Sequence, residues 1–302
     1  MLTPRVFFAS FLAFFAVNAS PLNPMKRQAI TALDTTQINA FTPFTHFAST
    51  AYCDPSTTIN WSCGANCEAN SDFVPVASGG DGSSVQFWYV GYSPSQNTII
   101  VGHQGTDTTK IMAIATDANV FFKELDSSLF PGVSSSVKVH SGFANEQAKT
   151  AADILSAVQT AISQTSITTV TVVGHSLGGA IALIDSIYLL LHTTGVTIQA
   201  IVYGCPRVGN QAFADYVDLH LNLNLTHITN KKDPIPIVPG RLLGYVGPSG
   251  EDHISEDNTW FACAGQDNTN TDCSTGAVPN IFESDASDHS GPYNGITMGC
   301  DT

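Results

Sequence analysis

Between residues 85 and 229 the chain changes back and forth between two hydrophobic rhythms. Residues 85–92 (VQFWYVGY) and 98–103 are short aromatic and β-branched runs separated by the turn-like cluster SPSQN, which predicts two strands. Residues 145–164 place Ala148, Ala152, Leu155 and Ile162 on one side of a helix. The run TTVTVV at 168–173 suits a buried strand. Residues 177–192 are apolar over most of their surface and read as a buried helix. A strand at 198–203, a helix at 210–220 and a strand at 225–229 follow. Residues 28–51 read as a helical lead-in, and the Gly-, Pro-, Asn- and Asp-rich stretch from Pro234 onward reads as loops held by cysteines. Strands alternating with helices predict an α/β class with a mostly parallel sheet in one domain.

The N-terminus carries a different pattern. Arg5, an apolar run over 6–17 and Val17-Asn18-Ala19 form a secretory signal peptide over 1–19. A pro-segment over 20–27 would end at the dibasic pair Lys26-Arg27, leaving a single domain over 28–302. The longest later apolar run, 181–191, is too short to cross a bilayer and contains Asp185, so no stable membrane insertion is expected. Seven cysteines fit secretion. Cys205, alone in AIVYGCP, reads as a buried thiol, and the other six allow 15 pairings. Of these, Cys63–Cys67 and Cys263–Cys273 would close short loops, and Cys53–Cys300 would tie the chain ends together. No cysteine pair has zinc-knuckle spacing. Asn60-Trp61-Ser62 and Asn224-Leu225-Thr226 are glycosylation sequons.

Composition removes other classes. With 302 residues, 43% hydrophobic, the chain can bury a full core. Eleven Lys and Arg stand against 25 Asp and Glu, a formal charge of −14 that repels phosphate backbones and excludes nucleic acid as a partner.

The chemistry is concentrated at Gly174-His175-Ser176-Leu177-Gly178-Gly179, between a β-branched strand and an apolar helix. A nucleophilic serine on such a turn needs glycines on either side, because strand and helix close tightly around it. Ser176 is the candidate nucleophile. It needs a general base and an orienting carboxylate, in the order serine, acid, histidine. Among the later histidines, His192 and His220 end helices and His227 lies in a strand, which leaves His253 and His289. His289 is favoured, because a disulfide through Cys300 would anchor its loop. Asp233 follows a strand's carboxyl end and precedes a proline, and is favoured as the acid over Asp215, Asp218 and Asp252.

Together with GHSLGG, the motifs YGCPRVGN (203–210), NKKDPIP (230–236) and DHSGPY (288–293) occur in an order and spacing that resembles the fungal class 3 lipases, a family related to feruloyl esterases. The resemblance covers most of 50–302. It implies an α/β-hydrolase fold with helices on both faces of the sheet, a Ser176–His289–Asp233 triad and no metal or organic cofactor. It implies an oxyanion hole from Thr106, in His103-Gln104-Gly105-Thr106, and from the Leu177 backbone N–H. Gln104 stands where the family often has arginine. It also implies a lid over 108–120, with Lys110, Ile111, Met112 and Ile114 in its apolar part and no aromatic residue. The family's disulfide pattern resembles the three pairs named above.

The expectation is a secreted, extracellular triacylglycerol lipase, monomeric by default, acting on lipid at an oil–water interface. A feruloyl or other soluble-ester esterase of the same fold is the near alternative. A catalytically inactive α/β-hydrolase that only binds is the alternative of another class.

Overall fold

A computed structural model of the chain describes residues 29–106, 110–113 and 121–300. The signal and pro-segments expected over 1–19 and 20–27 lie outside the described residues. The strands are β1 (Ile30–Ala32), β2 (Val74–Gly79), β3 (Trp88–Ser93), β4 (Thr98–His103), β5 (Phe122–Glu124), β6 (Lys138–His140), β7 (Thr169–His175), β8 (Thr197–Tyr203), β9 (Gly209–Asn210), β10 (Leu225–Asn230), β11 (Tyr245–Val246), β12 (Glu251–Ile254) and β13 (Trp260–Cys263). The principal helices are α1 (Thr35–Ala40), α2 (Thr42–Thr50), α3 (Ser141–Thr165), α4 (Leu177–His192) and α5 (Gln211–His220).

Nine strands form the main sheet in the order β1-β13-β12-β10-β8-β7-β4-β3-β2. Its centre, β4-β7-β8-β10-β12, is parallel throughout, and the antiparallel pairs lie at the two margins. The second sheet, β11-β9-β6-β5, is small.

Strand alternation sorts the core into two layers. Val90, Ile99, Val101, Val170, Val172, Ala200 and Val202 face α3 and α4 in one apolar cluster. Tyr89, Ile100, Val173, Ile201, Tyr203 and Ile228 point the other way, against Phe47, Ala48 and Ala51 of α2 and against Trp260 and Tyr293. Helices thus cover both faces of an α/β-hydrolase sheet. In α4 every residue from Leu177 to Leu189 is buried, which is why that helix carries no polar stripe. Asn210 caps α5 by accepting from Phe213 N, and Ser166 ends α3 in the left-handed region at φ 61°.

The central elements match the sequence reading closely, while the margins differ. The 28–51 lead-in begins with β1, which pairs with β13 before the helices start. The stretch after Pro234 is not all loop: β12 and β13 extend the sheet, so Asp252 and His253 sit on a strand. Neither strand alternates visibly in sequence, because β12 is wedged between β10 and β13 and buries residues on both faces. The disulfides are Cys53–Cys300, Cys63–Cys67 and Cys263–Cys273, and Cys205 is a buried free thiol.

Candidate active site

Strand β7 ends at His175 and α4 begins at Leu177, so Ser176 alone makes the turn between them. It does so at φ 59° and ψ −127°, a region that side chains with a Cβ rarely enter and that costs roughly 1–3 kcal/mol. Hydrogen bonds on both sides hold it there. Ser176 N donates to Tyr203 O at 2.9 Å, and Gly179 N and Ala180 N donate to Ser176 O at 3.0 and 3.2 Å. The flanking glycines are sterically required. A Cβ on Gly174 would overlap Gly178 O and lie 2.9 Å from Gly179 N. One on Gly178 would overlap His103 O.

Asp233 lies three residues beyond β10, where its N–H donates to Asn230 O at 2.9 Å. Its carboxylate is engaged on both oxygens. Oδ1 accepts from Ile235 N at 2.8 Å, and Oδ2 accepts from His289 Nδ1 at 2.9 Å. A carboxylate in that position only accepts, so His289 carries its proton on Nδ1 and presents a bare Nε2. Ser176, Asp233 and His289 are 0, 1 and 1% exposed. Ser176 Oγ and His289 Nε2 are both buried without a hydrogen-bond partner. They are not bonded to each other, and leaving buried polar atoms unpaired costs free energy that a group received between them would recover.

A second layer fixes His289, and the sequence reading did not find it. His175 Nε2 donates to His289 O at 2.7 Å, and the two imidazoles pack with centroids 4.4 Å apart. Because a carbonyl only accepts, His175 carries its proton on Nε2, and its Nδ1 accepts from Tyr52 OH at 2.6 Å. Burial, and secondarily the neighbouring His289, hold the His175 pKa well below its ordinary value, so the ring stays neutral. Tyr293 OH also donates to His289 O, at 3.0 Å. The acid and base loops are stitched together by Asn230 Nδ2 to Asp288 O at 2.8 Å and Asp285 N to Lys232 O at 2.8 Å. Gly204, at φ +50°, leaves room for this couple: a Cβ there would lie 3.0 Å from both Asp233 Oδ2 and His289 Cε1.

Thr106, three residues after β4, is half-buried and lines a cleft of about 380 Å³ with Gln104, Gly105, Lys110, His175 and His289. Leu177 N–H is the first in α4 and has no partner within the helix, so it is free to serve a ligand. Gln104 closes the end of the β3–β4 ladder, with its N–H donating to Phe87 O and its Oε1 accepting from Phe87 N at 2.8 Å. Of the expected lid, Lys110 is exposed, Ile111 is fully buried in the core shared with α3 and α4, and Met112 packs against that core. Ile114 lies outside the described residues. Among the other histidines, His253 is buried on β12 with Nδ1 2.8 Å from Thr229 Oγ1 and makes no hydrogen bond to Ser176 Oγ. Asp215 and Asp218 sit on α5 with Gln266. Asn60 is exposed, with Nδ2 donating to Ser56 O, and Asn224 is half-buried.

One group among the described residues has metal-like geometry: Glu251, Cys263 and Cys273. Both sulfurs are in a disulfide, and the Glu251 carboxylate already accepts from Thr229 Oγ1 and Ser274 N, each at 2.9 Å. These residues do not suit a metal ion. No helix among the described residues is long and apolar enough to cross a membrane.

The chain is similar to known proteins over most of its length. The family model for lipase (class 3) matches residues 100–243. The secreted mono- and diacylglycerol lipase MDL2 of Malassezia globosa is 32% identical over 204 residues, 67% of this chain and 66% of that protein. MDL3 of the same organism is 32% identical over 216 residues, 71% of this chain and 69% of that protein. The solved structure of lipase II from Rhizopus niveus superposes with a TM-score of 0.76 at 28% identity, covering 90% of this chain and all of that one. The matched span contains Ser176 and Asp233, each just beyond the carboxyl end of a sheet strand, and on these grounds the chain belongs to the fungal class 3 lipase family of carboxylic ester hydrolases.

Proposed function

We propose that this family member is a secreted triacylglycerol lipase that works through Ser176, His289 and Asp233. The observation that carries the reading is the buried couple Asp233–His289 beside a strained Ser176, with the two unpartnered atoms, Ser176 Oγ and His289 Nε2, being the pair that a proton must pass between. Ser176 Oγ attacks the ester carbonyl while His289 Nε2 takes its proton. The tetrahedral oxyanion is received by the N–H groups of Thr106 and Leu177, and removing one such donor costs about 2.7–4 kcal/mol of barrier. His289 then gives its proton to the departing glycerol oxygen, leaving an acyl-enzyme. A water enters, loses a proton to His289 and releases the fatty acid by the same path. Asp233 keeps the imidazole in the Nδ1–H tautomer and stabilises the imidazolium in between.

The low exposure of the three residues suits a site that is covered until an ester enters. Leu242, Leu243 and Ile281 are exposed and border one groove, and Phe282 is exposed next to Ile281, on the segments that follow Asp233 and precede His289. Exposed apolar side chains on the active-site loops suit a surface that docks on oil. The names of the Malassezia relatives make the number of acyl chains accepted the point to measure.

The test follows hydrolysis of a short-chain triglyceride, and of the matching diglyceride, through the solubility limit. Ser176→Ala is the blank. A steep rise once droplets form is expected, with turnover abolished in the blank. Cleavage of feruloyl or other soluble esters with none of acylglycerols would replace the lipase reading by the esterase one. Full activity in Ser176→Ala would remove the triad.

A further inference from the structure

Asp185 is the one carboxylate of α4, in the middle of a largely apolar helix, and it is 0% exposed. Nothing in the reaction above uses it. A buried carboxyl group is tolerated only when hydrogen-bond partners surround it. Here Asp185 Oδ2 lies 3.2 Å from His103 Nε2, and Oδ1 accepts from Gln147 Nε2 at 2.9 Å. His103 is the last residue of β4, and Gln147 belongs to α3. All three side chains are buried, and Gln147 keeps an unpartnered Oε1. Such a set seldom adds net stability over apolar residues of the same size, and its best-attested use is to fix one register among several.

The register at stake is that of β4 against α4. Thr106 continues from β4, and Leu177 opens α4, so the spacing of the two proposed oxyanion donors is the spacing of these two elements. His103 meets α4 twice. Its carbonyl abuts Gly178, and its ring reaches Asp185, seven residues and nearly two whole turns further along the same face. The β4–β7 ladder, with His103 opposite Gly174, already sets strand against strand; the Asp185 contact adds a second fixed point on the helix itself, beyond the turn at Ser176.

We propose that Asp185, through His103, is a positioning residue that holds the oxyanion strand in register with the nucleophile helix, with Gln147 completing its hydrogen bonds. The inference rests on the proposed function, specifically on Thr106 and Leu177 as donors.

The test uses a soluble short-chain ester, so that lipid surfaces play no part, and reads kcat, KM and melting temperature. In His103→Leu/Asp185→Leu, made together with Gln147→Met so that no buried amide is orphaned, the carboxyl and both its partners leave together. The expected result is a melting temperature near that of the parent, with kcat about 30–100-fold lower and KM within twofold, the signature of a donor displaced in the transition state. Asp185→Asn keeps the shape, can accept from His103 and can donate to Gln147 Oε1, so it is expected to retain kcat within threefold. Recovery of full kcat in the leucine pair overturns the proposal, because packing then suffices. A loss of kcat in Asp185→Asn as large as in the leucine pair overturns it too, because the hydrogen bonds then are not what matters. Should the leucine pair not fold, His103→Gln, whose amide can still donate to Asp185, decides: near-parent kcat supports the brace and a large loss overturns it. The parallel Ser176→Ala blank separates the two levels. Activity surviving there sinks the triad itself, whereas an inactive blank beside a fully active leucine pair sinks only the brace.

Discussion

Replacing Gly178 by alanine puts a single methyl group where the oxyanion loop meets the nucleophile helix. The added Cβ would overlap His103 O and would lie 2.7 Å from Gln104 C and 2.8 Å from Gln104 O, where ordinary contacts begin at 3.4 Å. All of these are backbone atoms, so no flexible side chain can swing aside. The gap to Gln104 C must widen by about 0.7 Å, and the gap to His103 O by more, to reach ordinary contact. Gln104 and Gly105 cannot yield freely: Gln104 is bonded twice to Phe87, and Gly105 is wedged against Tyr52 and His175. The displacement therefore falls on Thr106 or on the start of α4, which are the two proposed donors. A misplacement of 1 Å typically costs ~10²-fold in rate, or about 2.7 kcal/mol. That equals the low end of losing one oxyanion donor outright. The assay is turnover of a soluble ester, normalised by titrating active sites with a serine-directed phosphonate, with a melting curve to confirm folding. The expectation is kcat about 100-fold down with KM little changed. A folded Gly178→Ala enzyme with kcat within threefold of the parent would refute the steric reasoning and the assignment of the hole together.

Asp233→Asn keeps the shape of the acid but favours the wrong His289 tautomer, so kcat on the same ester should fall by on the order of 10⁴ with the melting temperature little changed; a loss under tenfold would argue against Asp233 as orienter. Cys300→Ser opens a link spanning 247 residues, for which loop-closure entropy predicts a loss on the order of 5 kcal/mol in denaturant titrations, and an unchanged midpoint would contradict it. The Asp252 carboxyl is pushed up to about 7 by burial and then by Glu251, so the folded state binds a proton the unfolded chain gives up. That contribution is present below the unfolded pKa near ~4 and is lost as pH rises through 7. Asp252→Asn should therefore raise the melting temperature at pH 8 and change it little at pH 4, and the opposite ordering would refute the sign. His175 works the other way: its lowered pKa gives stability above ~6.5 that is lost as pH falls.

The parallel centre of the fold was legible because each of its elements announces itself locally. β4 and α4 have the bounds that the hydrophobic pattern predicts, β8 and β10 differ by one residue at one end, and β7 by one and two residues at its two ends. The margins were not legible. β2 carries a proline and a register shift between Pro75 and Ala77, so no clean alternation marks it. β12 and β13 sit among glycines and asparagines that suggest loops. They become strands because β10 supplies a parallel edge and the Cys263–Cys273 bridge holds the return. Their stability is tertiary, and a local pattern cannot report it.

The site divides along the same physical line. The turn at Ser176 is local: strand, glycine, serine, glycine and helix are consecutive, and the steric reason for each glycine can be stated from the motif alone. Asp233 and His289 were found by order and by motif, and they meet across 56 residues of chain. The clamp that holds His289 was invisible, because Tyr52 reaches His175 across 123 residues and His175 reaches His289 across 114. Tyr52 lies in no motif, and within GHSLGG the histidine looks like a filler between the functional glycine and serine. Its tautomer follows only from its two partners, one carbonyl and one phenol. The same chain of partners explains why the base loop needs no regular structure of its own. His289 sits on a single short 3₁₀ turn, Ala286–Ser290, yet its carbonyl accepts from both His175 and Tyr293, and its ring is held by Asp233. A residue anchored at three points, two on its carbonyl and one on its ring, is placed by those partners rather than by regular structure of its own, so precision at this site is a property of the core around it.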